Sequence, residues 1–112
     1  HKLPSRAGIL ALGNSASVAQ NGWFRDEVTG IMFQWGRVNI GDNQCRRLKY
    51  PVPFENDCFS LICSAGSAQL LKGSDMVSAY GISHGRHEMT VCASSNTNYN
   101  GIQYVNWLAI GK

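Results

Sequence analysis

Three short stretches hold most of the side chains that could do chemistry. "SHGRH", residues 83–87, sets His84 and His87 three apart with Arg86 between them. "NTNYNG", residues 96–101, offers Asn96, Asn98, Tyr99 and Asn100, and "CRRLKY", residues 45–50, offers Arg46, Arg47, Lys49 and Tyr50. Two imidazoles at this spacing could join a third ligand on zinc. The same residue types also suit sugars. Flat rings cover the apolar face of a pyranose, and amide planes meet its hydroxyls. Guanidinium groups bind phosphate or carboxylate bidentately. Loops supply such groups more often than strands do. Two of the stretches also have a plainer reading. A solvated hairpin turn accounts for "SHGRH" and is favoured over a metal site. A charged edge strand that resists unwanted pairing accounts equally well for "CRRLKY". No cofactor or metal is expected.

Catalysis finds little support. A glycosidase needs two carboxylates about 5–9.5 Å apart in a cleft. The acids are Asp26, Glu27, Asp42, Glu55, Asp57, Asp75 and Glu88. Glu55 and Asp57 flank Asn56 in turn-like sequence, where an Asp usually caps or makes an Asx-turn. Ser60, Ser78 and Ser83 lie in no nucleophile elbow of the GxSxG kind. The chain is expected not to be an enzyme.

The surroundings of these stretches agree with a binding domain. At 112 residues the chain is one domain. Apolar residues are 44% but charged residues only 15%, well under the usual quarter. Part of the surface is therefore expected to be covered, most simply by a sister subunit. The net charge of +3 permits anionic glycans and does not call for nucleic acid. No run approaches the ~20 apolar residues of a membrane span, and no signal peptide opens the sequence. His1 reads as an internal cut in a longer protein. Of the four cysteines, Cys58, Cys63 and Cys92 lie in apolar, strand-like runs, and there is no CxxC pair. An even count permits two disulfides, but the favoured expectation is free thiols used as small core hydrophobes.

Residues 1–22, rich in Gly, Ser, Ala and Asn, read as an extended lead-in, and residues 23–112 as a β domain. In "GIMFQWGRVNI", 30–40, Ile31, Phe33 and Trp35 alternate with Met32 and Gln34. The first set is expected to fill the core, and Met32, Gln34 and Val38 to meet a neighbouring subunit. "NIGDNQ" breaks this strand. "YPVPF", 50–54, with two prolines, is an irregular crossing. "DCFSLIC", 57–63, "MVSAYGI", 76–82, and "EMTVCAS", 88–94, read as strands, the last two joined by the "SHGR" hairpin. "SAGSAQ" after Cys63 reads as turn-rich. The last strand runs from Ile102 to about Ile110, with both faces largely apolar. Trp23, Trp35 and Trp107 are expected to be structural. The fold class is all-β, a compact antiparallel β-sandwich.

Four motifs in order carry a resemblance that spans almost the whole chain. "LPSRAGILAL", 3–12, resembles the linker before the tip domain of many tailed-phage fibres. "NGWFRDEVTGIMFQWGRV", 21–38, "YPVPFENDCFSLIC", 50–63, and the ending "NWLAIGK" resemble successive elements of that domain. Glu55 stands where a proline is common, and Met-Phe replaces a more polar pair at 32–33. The chain thus resembles the C-terminal domain of a tail fibre from a Mu-like or related contractile-tailed phage or prophage. The resemblance implies a homotrimer at the distal end of the fibre in the virion, continuous with the rest of the fibre. It implies binding of a bacterial surface glycan, most often lipopolysaccharide. The HxH form used by some such fibres for an axial metal is absent. The receptor residues expected are His84, Arg86, His87, Asn98, Tyr99, Arg46, Arg47 and Tyr50. The rival readings are a trimerisation or capping module without the receptor site, a bacterial lectin-like domain, and the fibre of a phage-tail-like bacteriocin.

Overall fold

The structure, a computed structural model, describes residues 14–41, 43–67, 77–95 and 103–112. Among them there is no helix. Eight strands follow in chain order: β1 (Asn14–Ser17), β2 (Gly22–Asp26), β3 (Met32–Ile40), β4 (Gln44–Lys49), β5 (Cys58–Ser67), β6 (Val77–Ser83), β7 (Glu88–Ser95) and β8 (Gln103–Gly111). They form a five-stranded sheet, β1-β2-β3-β8-β5, and a three-stranded sheet, β4-β7-β6. Every ladder is antiparallel. The expected all-β architecture of two antiparallel sheets is what the chain adopts. The strand after the crossing is longer than its sequence suggests, because residues 64–67 of "SAGSAQ" continue β5 along β8.

The core lies between the sheets. Val105, Trp107 and Ala109 enter it from β8, and Met89, Val91 and Ala93 from β7. These are alternate positions, as the two-residue period of a strand requires. Trp107 finds room because its cross-strand partner on β3 is Gly36; a Cβ there would lie 2.7 Å from the indole. Gly81 of β6 likewise lets the second sheet approach β5, since a Cβ would lie 2.7 Å from Cys63 Sγ.

The faces of β3 are the reverse of those expected. Met32 and Gln34 are fully buried, whereas Ile31 and Phe33 are 39% and 38% exposed on the outer face. The bulkier apolar set suggested the core, but the interior already holds Trp107, Met89 and Phe54. It has space for Gly36 and an amide instead. Gln34 is satisfied there: Nε2 donates to the Val52 carbonyl at 2.6 Å, and Oε1 accepts from the Val52 amide at 2.9 Å. Removing that side chain would strand buried backbone groups, at a cost of about 1–3 kcal/mol. A one-residue change of parity moves every side chain of a strand to the opposite face, so the correction applies to the whole strand.

The cysteines also depart from expectation. Cys45 and Cys92 are directly opposed on β4 and β7 and form a disulfide. Cys45 lies on an exposed edge strand, outside any apolar run. Its partner is set by register, which the sequence does not display. Cys58 and Cys63 remain half-buried thiols packed against the core, and burial pushes the Cys63 thiol up from its ordinary range.

Candidate functional site

The crossing "YPVPF" and the β6–β7 hairpin are tied together by their backbones. Tyr50 N donates to His87 O at 2.9 Å and Phe54 N to Arg86 O at 3.0 Å. The Arg86 side chain returns the contact, its Nε donating to Phe54 O at 2.8 Å. Two prolines keep this segment from joining the sheet ladder, so its remaining amides seek partners in the neighbouring loop. The hairpin itself closes through His84 N to Glu88 O at 2.8 Å, with Gly85 at φ +87°, where a side chain would be strained. Ser83 Oγ donates to Gly85 O at 3.1 Å and accepts from Tyr50 OH at 2.7 Å.

This union brings together two stretches that the sequence separates by more than thirty residues. Lys49, Tyr50 and Pro53 on one side and His84, His87 and Glu88 on the other line a cavity of about 590 Å³. Tyr50 forms a wall and is buried, its ring edge-on to Phe54 at 5.0 Å and to Trp107 at 6.1 Å. Burial, then a hydrogen bond with the Cys58 side chain, raises its phenol above the ordinary range. Glu88 accepts from both Nε and Nη2 of Arg47, each at 2.7 Å. That pairing offsets the one acid lining the cleft. The His84 ring meets Thr90 Oγ1 at 2.7 Å. His87 and Lys49 are exposed, and among the described residues neither side chain has a hydrogen-bond partner. The cleft therefore presents a cation, two imidazoles and an aromatic wall on a fixed backbone.

Arg46 lies elsewhere. Its Nη1 donates to Asn39 O at 3.2 Å, joining edge strand β4 to β3 across the side of the sandwich. Asn96, Asn98, Tyr99 and Asn100 lie outside the described residues. Among the described residues no three His, Cys, Asp or Glu side chains converge to hold a metal ion. Sequence reasoning missed Pro53 and Glu88 as cleft residues. The second proline of "YPVPF" was a signal for the first; nothing short of the hairpin's tertiary contacts marks the second. It also missed the outer face of the five-stranded sheet. There Phe33, Phe59 and Ile62 are 38%, 64% and 53% exposed beside half-buried Leu108 and Ile110.

Residues 25–112 match the family described as tail fiber protein gp53-like, C-terminal. The chain belongs to this family. Among curated proteins none matches the sequence. Solved structures similar to this tail fibre domain come from pyocins, which are phage-tail-like particles. An N-truncated R1-type pyocin tail fibre matches with a TM-score of 0.76 at 24% identity, over 98% of this chain and 98% of that one. A longer C-terminal fragment of the Pseudomonas aeruginosa R1 pyocin fibre matches with 0.77 at 24% identity, over 98% of this chain and 32% of that one. The corresponding R2 fragment gives 0.73 at 21% identity, over 98% and 30%. The tail fibre domain thus spans about a third of those longer fragments, and at these identities the likeness is one of fold. The family assignment makes this chain a tail fibre C-terminal domain.

Proposed function

We propose that this domain attaches its particle to a bacterial cell by binding lipopolysaccharide or another surface glycan, without covalent chemistry. The observation that carries the reading is the cationic, aromatic-walled cleft where the crossing meets the hairpin. A tail fibre domain with such a cleft on rigidly held loops suits receptor contact at the distal end of the fibre. His84 and His87 provide hydroxyl contacts and Lys49 the anion contact, and Arg47 holds Glu88 from opposing them. A homotrimer strengthens weak individual sites: a millimolar contact is worth about 4 kcal/mol, and three per tip raise the effective concentration. Purified protein is expected to bind host lipopolysaccharide in a surface-plasmon assay. His87→Ala and Lys49→Ala should weaken binding about tenfold, the step that one charge-assisted hydrogen bond supplies. Unchanged binding by both variants with an unchanged melting temperature would remove the cleft as the receptor site.

A second reading has its own support. The exposed apolar residues Phe33, Phe59 and Ile62 on the five-stranded sheet suit a trimerisation or capping role. The two readings separate on one competition assay. A receptor-binding domain blocks adsorption of the parent particle to cells, and a pure capping module does not.

A further inference from the structure

Beside the cleft runs a groove of about 230 Å³ on the open side of the sandwich. The β2 ladder ends at the Gly22–Trp35 pair, so from Gly36 onward β3 is paired only with β8. The unpaired edge of β3 and the edge strand β4 border this groove. Val38, Leu48 and Trp107 contribute its apolar lining, and Arg37, Lys49 and Pro51 also line it. Lys49 lines the cleft as well. The two compartments therefore meet at one residue, Lys49, with Tyr50 on the cleft side and Pro51 on the groove side.

What could lie across both is limited by backbone and charge. A peptide that added as a strand would need the open edge of β3. That edge is already engaged: Asn21 Oδ1 accepts from Arg37 N at 2.8 Å, and Arg46 donates to Asn39 O at 3.2 Å. Side chains must then do the recognising. They offer an apolar surface for a sugar ring in the groove and cationic or imidazole groups from Lys49 to His84 and His87 in the cleft. The one acid lining either compartment, Glu88, is paired with Arg47.

We infer that cleft and groove take one continuous anionic glycan of at least two sugar units, whose phosphate or carboxylate sits on Lys49 where the compartments join. This rests on the glycan-binding reading above and names the ligand class and the residue that selects it. Lys49 is the specificity residue, and the groove is a second subsite.

The test is calorimetry on the purified protein. The probes are a phosphorylated oligosaccharide, a uronate-containing one, a neutral one of equal length, an anionic monosaccharide and a poly-glutamate peptide. An anionic oligosaccharide should bind about tenfold tighter than the neutral one. The stronger of the phosphorylated and uronate probes identifies the substituent. Lys49→Gln should bring the anionic and neutral oligosaccharides to equal affinity. Pro51→Trp, at an exposed position that lines only the groove, should reduce the oligosaccharide to the affinity of the monosaccharide and leave the monosaccharide unchanged. Equal affinity for neutral and anionic oligosaccharides overturns the inference, as does a preference that survives Lys49→Gln. Equal binding of poly-glutamate overturns it in favour of an acidic peptide. Binding to none of the glycans overturns the receptor reading itself, which separates the two failures.

Discussion

On the outer face of the five-stranded sheet, Phe33, Ile62, Leu108 and Ile110 stand in cross-strand rows with Phe59 at the neighbouring bulge. On the outer face of the three-stranded sheet, Cys45, Cys92 and Tyr80 stand in one row and Arg47, Thr90 and Ile82 in the next; a disulfide joins Cys45 to Cys92, and diagonal contacts join Arg47 to Glu88 and His84 to Thr90. Both sheets are antiparallel and share one core, yet the outer rows of the first are largely apolar across β3, β8 and β5, whereas in the second the exposed apolar side chains, Tyr80 and Ile82, are confined to β6 and polar and covalent bonds cross-link the rest. The difference teaches that ladder geometry supplies only positions. The first surface is suited to being covered by something of its own kind. The second holds backbone and side chains still, which a binding site at its end requires.

The largest effect is expected where the two regions depend on the same residue. Phe54 is fully buried under the crossing, and Phe54→Ala should cost about 3–5 kcal/mol. Thermal unfolding should shift sharply, and hydrogen exchange should rise in both sheets. A rise confined to the three-stranded sheet would show that the sheets do not share this part of the core. Next comes the disulfide, which closes a long loop; Cys45→Ser should cost about 2–4 kcal/mol. Exchange should increase in β4 and β7 and leave β3 and β8 protected, and glycan affinity should fall because Lys49 ends β4. Equal loosening of both sheets would break the contrast.

Phe33→Lys should sharpen the comparison from the other side. The residue is 38% exposed on the apolar face, so the isolated fold should change by only about 0.5 kcal/mol. Light scattering should nevertheless show the assembled species falling to a smaller one. An unchanged mass would leave that face without an assembly role. The last effect concerns Tyr50 and is mainly one of pH. Its phenol is raised by burial first and by the Cys58 hydrogen bond second. The folded state therefore favours the neutral form. This contribution is complete below the ordinary tyrosine range near pH 10 and is lost as pH rises through the higher folded value. Tyr50→Phe should give up about 1 kcal/mol at neutral pH through the lost Ser83 bond. It should flatten the alkaline loss of stability, and a pH profile identical to that of the unaltered chain would refute the assignment.

Much of the fold was legible in the residues. Alternation marked β3, apolar strand-like runs marked β6, β7 and β8, the two prolines marked the crossing, and "SHGR" marked the hairpin through a glycine that the turn requires. The candidate site was legible in pieces. His84, His87 and Tyr50 were each singled out for their chemistry, and Arg46 and Arg47 were indistinguishable by type. Structure separates that last pair, because adjacent strand residues point to opposite faces: Arg47 reaches Glu88 beside the cleft, and Arg46 reaches Asn39 across the sandwich.

By itself the sequence determined that the chain is built of strands and where most of them lie, because propensity, turn chemistry and period are local properties of the chain. Tertiary structure alone decided which face of β3 turns inward, which cysteines meet, and that residues 49–53 and 84–88 form one cleft. Each of these depends on register or on competition for a limited interior volume. Trp107 over Gly36 took the space that the apolar set of β3 would otherwise fill, and Gln34 was admitted because Val52 satisfies it.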